Sequence, residues 1–166
     1  MKKYWYLFVC MLMSAGISIF FVTGCSQDKK DSHEVEITET APAAQIVTIY
    51  YVDDQTGGIT EKNVEIQDEY DIWNALKERG ILTEDCQLLN LKVDVDEKKL
   101  DLDFNSETGD RIRSTGTTGE TEIIGCIINT YLEAYECEEI RLTQEGMAFV
   151  TSHGADFDGY SGKMEF

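Results

Sequence analysis

The chain is poor in positive charge. Its 166 residues hold 14 Lys and Arg against 32 Asp and Glu, a formal charge of -18. Residues 1–24 contain two lysines and no acid, so the remainder is more negative still. A surface this acidic repels nucleic acid, anionic lipid and anionic wall polymers, all of which recruit Lys and Arg. Suitable partners are cationic, neutral, or bound through a local patch. Histidine is scarce, with two residues, and the only proline, Pro42, falls outside the predicted domain. One histidine near two aspartates in the tail, His153 with Asp156 and Asp158, is too little for a metal centre. No serine or cysteine lies in a nucleophile motif. No phosphate loop is present, because the Gly-Thr-Thr-Gly run at 116–119 lacks the lysine and the full spacing. The expectation is a protein with no enzymatic activity, no cofactor and no metal.

Apolar residues make up 42% of the chain, enough for a real core. They are unevenly placed. Met1 is followed by Lys2 and Lys3, and residues 4–22 are almost wholly apolar and uncharged. This is a signal peptide or a single membrane anchor. It ends in Val22-Thr23-Gly24-Cys25, followed at once by the polar Ser26-Gln27-Asp28. The small residues before the cysteine resemble the bacterial lipobox, in which the cysteine thiol accepts diacylglycerol. By that resemblance residues 1–24 are a lipoprotein signal peptide and Cys25 is the lipidated first residue of the mature chain. The protein then sits on the cell membrane, lipid-anchored and facing outside the cytoplasm. Residues 25–44 are polar and acidic without periodicity and read as a flexible tether.

The domain is expected over residues 45–166. Residues 45–52, rich in β-branched and aromatic side chains, predict a strand. A turn at 53–58 leads to a weaker strand around Val64 and Ile66. Asp68 is placed to cap a helix, Ile72, Trp73 and Leu76 recur at helical spacing, and Gly80 suits the left-handed residue after its end. Trp73 is read as core rather than as a platform for an aromatic ligand. Residues 91–104 alternate apolar and polar. They predict a hairpin with Leu91, Val93, Val95, Leu100, Leu102 and Phe104 on one face and Asp94, Asp96, Asp101 and Asp103 on a solvated face. Carboxylates spread along a flat face converge poorly on calcium. Residues 105–119 read as a polar loop carrying two rare cations, Arg111 and Arg113, a candidate interaction site. Thr117 with Glu120 matches a capping box. Ile124, Ile127, Ile128, Tyr131, Leu132 and Tyr135 then form one apolar stripe of a second helix. Residues 139–144 and 147–150 predict a last strand pair, followed by a loop-like tail. The fold class is therefore α+β, a mostly antiparallel sheet with two helices on one face, in the order β-β-α-β-β-α-β-β.

Cys10 leaves with the signal peptide and Cys25 carries lipid, which leaves Cys86, Cys126 and Cys137. A helix running unbroken to Tyr135 holds Cys126 and Cys137 well beyond the roughly 7 Å that a disulfide spans. The element order brings Cys86 and Cys126 to the same end of the sheet, so a Cys86–Cys126 disulfide and three unpaired thiols both stand open.

From residue 45 onward the order of features resembles the GerMN domain of sporulation and germination proteins. The opening strand at 47–51, the helix at 68–80 and the hairpin ending Leu100-Asp-Leu-Asp-Phe-Asn-Ser106 carry the resemblance. So do the helix with Asn129-Thr130 and the strand and turn at 139–146. A glycine-proline after the first helix, frequent in the family, is here Gly80-Ile81. The resemblance implies a membrane-anchored role in sporulation, germination or cell-envelope assembly, through protein partners and self-association, with no transferable active site. The alternative is a ligand-binding lipoprotein that captures a peptidoglycan fragment or another small molecule.

Overall fold

A computed structural model describes residues 45–155, 157 and 159–166. Cys25, the signal segment and the tether, with Asp156 and Asp158, lie outside the described residues. Nine elements follow in the order β1 (Gln45–Val52), β2 (Ile59–Ile66), α1 (Glu69–Glu78), β3 (Leu88–Asp94), β4 (Lys99–Phe104), α2 (Ser106–Arg113), α3 (Gly116–Ala134), β5 (Glu139–Gln144) and β6 (Met147–Ala148). The class is α+β, as expected. The architecture differs from the expectation in having two sheets and three helices among the described residues. β1 and β2 form a two-stranded antiparallel sheet, while the second sheet runs β3-β4-β5-β6. Among the described residues no helix is long and apolar enough to cross a membrane.

The first hairpin follows from its alternation. Val47 and Ile49 point inward and are buried, while Ile46 points out. Asp53 closes the turn, accepting from the backbone N–H groups of Gln55 and Thr56 and from the Thr56 hydroxyl. Those donors hold its carboxyl below the ordinary range. The first helix is also the one expected. The Asp68 side chain accepts from the Tyr70 and Asp71 N–H groups, and Asp71 reaches back to complete a capping box. Gly80 ends the helix at φ 73°, a conformation that costs an L side chain dearly. Trp73 is core, and its Nε1 donates to the Cys86 carbonyl at 3.2 Å.

The hairpin of β3 and β4 pairs Leu91 with Leu102 and Val93 with Leu100. β4 lies at the centre of its sheet, antiparallel to β3 and parallel to β5. A parallel pair requires a long crossover, and α2 with α3 supplies it. The central place of β4 corrects the picture of a free acidic face, because Asp101 and Asp103 are bonded to neighbouring residues. Asp101 stands opposite Arg141 and accepts from its Nε at 3.0 Å and from the Tyr160 hydroxyl at 2.9 Å. Asp103 accepts from the Thr143 hydroxyl and the Gly146 N–H. Asp94 closes the hairpin turn through the Asp96 and Glu97 N–H groups. Val95, expected on the apolar face, is instead exposed at that turn.

Residues 105–119 are not a loop. Asn105 caps α2, its Oδ1 accepting from the Thr108 N–H and hydroxyl and from the Gln87 N–H. The Gln144 side chain lies over Gly109 of this helix, where a Cβ would displace it. α3 starts at Gly116, before the expected cap. Its N-cap Thr115 makes no side-chain cap bond, and Glu120 lies inside the helix. The Thr117–Glu120 capping box is therefore not formed.

α3 is the core element. Every residue from Ile123 to Leu132 is buried. β1 covers one side, where the Tyr50 N–H donates to the Thr130 hydroxyl at 3.0 Å. Trp73 of α1 packs on Tyr131. The C-terminal tail covers another side, with the Asn129 amide and the Met164 backbone exchanging hydrogen bonds at 2.8 and 2.9 Å. A helix enclosed all round has no solvent face, so Cys126, off the expected stripe, is buried as well.

Candidate functional site

An open cleft of about 650 Å³ lies where the β1–β2 turn faces the end of α1 and where the end of α2 meets the start of α3. Its wall is charged. Arg79 and Arg111 supply cations, and Asp54, Glu78 and Glu122 supply carboxylates. The Arg79 guanidinium lies over the Tyr51 ring, 5.2 Å from its centroid. Arg111 donates from Nη2 to the Gly80 carbonyl at 3.1 Å, which places it beside Arg79. Its Nε is shut off from solvent without an acceptor among the described residues. The sequence pointed to Arg111, but not to Arg79, Tyr51 or Glu122. They come from separate elements, and no local motif joins them.

Arg113 does other work. Its guanidinium donates to Gln144 at 2.9 Å, Asp110 at 3.1 Å and the Val150 carbonyl at 3.2 Å, and it stacks on Phe149. The two arginines expected on one mobile loop therefore belong to the last turn of α2. Arg113 ties α2 to the last strand pair. Arg111 faces the cleft.

Glu120, Ser152 and His153 form a cluster with the residue types of a hydrolase triad. The geometry is that of a strap. Glu120 is buried, and its Oε1 accepts from the Ser152 N–H and hydroxyl at 3.0 and 2.5 Å. His153 meets both Ser152 and Glu120 through the same nitrogen, Nδ1. A relay needs the imidazole to bridge nucleophile and carboxylate through opposite nitrogens, and this arrangement cannot. Burial pushes the Glu120 carboxyl up, but the hydrogen bonds from Ser152 and His153 outweigh it and hold the carboxyl below its ordinary value.

Cys86, Cys126 and Cys137 are free thiols, and the Cys86–Cys126 bond is not made. The Cys86 Sγ instead contacts the Thr83 N–H and hydroxyl. Burial, with the nearby Glu122, pushes the Cys126 thiol up to about 12. Such a thiol is a poor nucleophile. Among the described residues no group of His, Cys, Asp or Glu is arranged to hold a metal.

The other notable surface is the rim of the larger sheet. The strand order leaves β3 at an edge. A register shift between Leu88 and Asn90 leaves Leu89 without a cross-strand partner and exposed. Bulges re-aim side chains in this way.

No family model matches the chain, and no curated protein matches it. Solved structures do, among them two of GerMN domains. The tandem GerMN domains of the sporulation protein GerM from Bacillus subtilis are 14% identical with a TM-score of 0.47, over 79% of this chain and 50% of that one. The first GerMN domain of the same protein is 16% identical with a TM-score of 0.47, over 62% of this chain and 84% of that one. This chain is similar to GerMN domains. It spans half the length of the tandem GerMN structure.

Proposed function

We propose that the chain is a membrane-anchored extracytoplasmic lipoprotein, held by lipid on Cys25. Its domain is non-enzymatic and acts by protein–protein contact in sporulation, germination or cell-envelope assembly. The observation that carries this reading is the open β3 edge with Leu89 presented outward. An unpaired strand offers a row of backbone donors and acceptors to another chain. Lys92 and Asp94 on the same strand restrict the choice of partner, because charges on an edge oppose indiscriminate pairing. The partner is another envelope protein or a second copy of this chain. In-cell cross-linking of the tagged full-length protein tests the reading. Repeated capture of itself or of membrane and envelope-assembly proteins is expected, with fatty-acid label on the wild type and none on Cys25→Ala. Capture of cell-wall fragments alone contradicts it.

A second reading is favoured by the cleft, whose size suits a small ligand. In that reading the lipoprotein captures a small molecule of the envelope, such as a peptidoglycan fragment.

A further inference from the structure

We propose that the cleft binds a zwitterion, a short peptide with both termini free. Its carboxylate sits on Arg79 and Arg111, and its ammonium group sits among Asp54, Glu78 and Glu122. The inference rests on the ligand-capture reading and names the chemistry of that ligand.

The cations carry it first. In a chain with this excess of acid, an arginine has many carboxylates to choose from. Arg113 and Arg141 each make an ion pair. Arg79 and Arg111 make none among the described residues, although carboxylates line the same cavity. Arg79 is held by the Tyr51 ring and Arg111 by the Gly80 carbonyl, so both are positioned without being neutralised. Both guanidiniums line the same cleft. A carboxylate is the planar, bidentate acceptor that such a fork fits.

The acids set the other half. Asp53 is consumed by its turn. Asp54, Glu78 and Glu122 make neither ion pairs nor side-chain hydrogen bonds among the described residues. A simple anion would be repelled by these three and by the net charge of -18. A simple cation would meet the arginines. A ligand with one charge of each sign satisfies both sets of charges at once. The volume of about 650 Å³ admits a peptide of a few residues.

Calorimetric titration of full-length protein in detergent with tri-alanine tests this. Two further probes are N-acetyl-tri-alanine, which lacks the ammonium, and tri-alanine amide, which lacks the carboxylate. In parallel, the small-molecule fraction of an envelope extract is dialysed against the protein and the retained compounds are identified. Saturable binding of tri-alanine is expected, weakened about tenfold or more by either cap, as loss of a charged hydrogen-bonding group predicts. Arg111→Gln and Arg79→Gln should weaken it similarly. Arg79→Gln is the cleaner variant because the Arg79 side chain makes no hydrogen bond among the described residues, and circular dichroism confirms that each variant is folded. Equal binding of the capped peptides overturns the zwitterion. So does retention of a different small molecule with no peptide binding, and in both cases ligand capture stands. No peptide binding and nothing retained overturns both.

Discussion

The ring of Phe166 lies directly over Gly125, so that a Cβ on Gly125 would overlap it. Phe166 thus closes against the central helix at Gly125, the glycine within its buried stretch. Two effects oppose each other in Gly125→Ala. Alanine gains about 1 kcal/mol of helix propensity. The displaced Phe166 is already 58% exposed, and Met164 keeps its bonds to Asn129. The net change in unfolding free energy should stay within about 1 kcal/mol. The Phe166 ring resonances should nevertheless shift by NMR. A loss of several kcal/mol would show that the tail is far more tightly seated than its exposure implies.

Glu120 makes stability depend on acid. Its folded value lies below the ordinary 4.5, so its contribution is fully present above 4.5 and is lost as pH falls through the folded value. Glu120→Gln should therefore lower the melting temperature at pH 7. The gap between variant and wild type should narrow steadily below pH 4.5. A gap that is constant across that range would mean the carboxylate charge is not what holds Ser152 and His153.

The Tyr131 hydroxyl is buried with no hydrogen-bond partner among the described residues. Burial pushes its ionisation well above the ordinary value. A buried, unpaired hydroxyl costs about 1 kcal/mol or more. Tyr131→Phe keeps the ring packing on Trp73 and Tyr135 and should stabilise the protein by about that amount. A fall in the urea midpoint for this variant would reveal a bond that the hydroxyl makes.

The three thiols should react in order of access. Cys137 is partly buried, whereas Cys86 and Cys126 are closed off. Alkylation of native protein at pH 8, read by mass spectrometry, should label Cys137 first. Cys126 should stay unlabelled until the fold is opened. Recovery of a peptide linked through Cys86 and Cys126 would contradict the free-thiol arrangement.

Much of the fold was legible because local chemistry and global packing agree there. Asp68, Ile72, Trp73, Leu76 and Gly80 write a cap, a stripe and a stop. The alternation from Leu91 to Phe104 writes a hairpin. α2 was hidden because its buried contacts are few, Thr108 and Ile112 among polar residues, and Gly109 looks like a helix breaker. Its glycine answers to Gln144, far away in sequence. The same distance concealed the partners of Asp101 and Asp103, which are opposite residues on a strand paired in parallel. The burial of Cys126 was not legible because periodicity reports one covered face, while residues 123–132 are buried on all. The cleft was legible only at Arg111, since its other charges come from elements that meet only in three dimensions.

The most direct test of the proposed role is photo-cross-linking in cells, with a photoreactive phenylalanine placed at Leu89 on the β3 edge of the full-length protein. The control is the same residue at Glu65, exposed on the β2 strand. The account predicts a discrete adduct, with another copy or an envelope protein, from position 89 and none from position 65. Adducts from both positions alike, or from neither, would contradict a docking role for this edge.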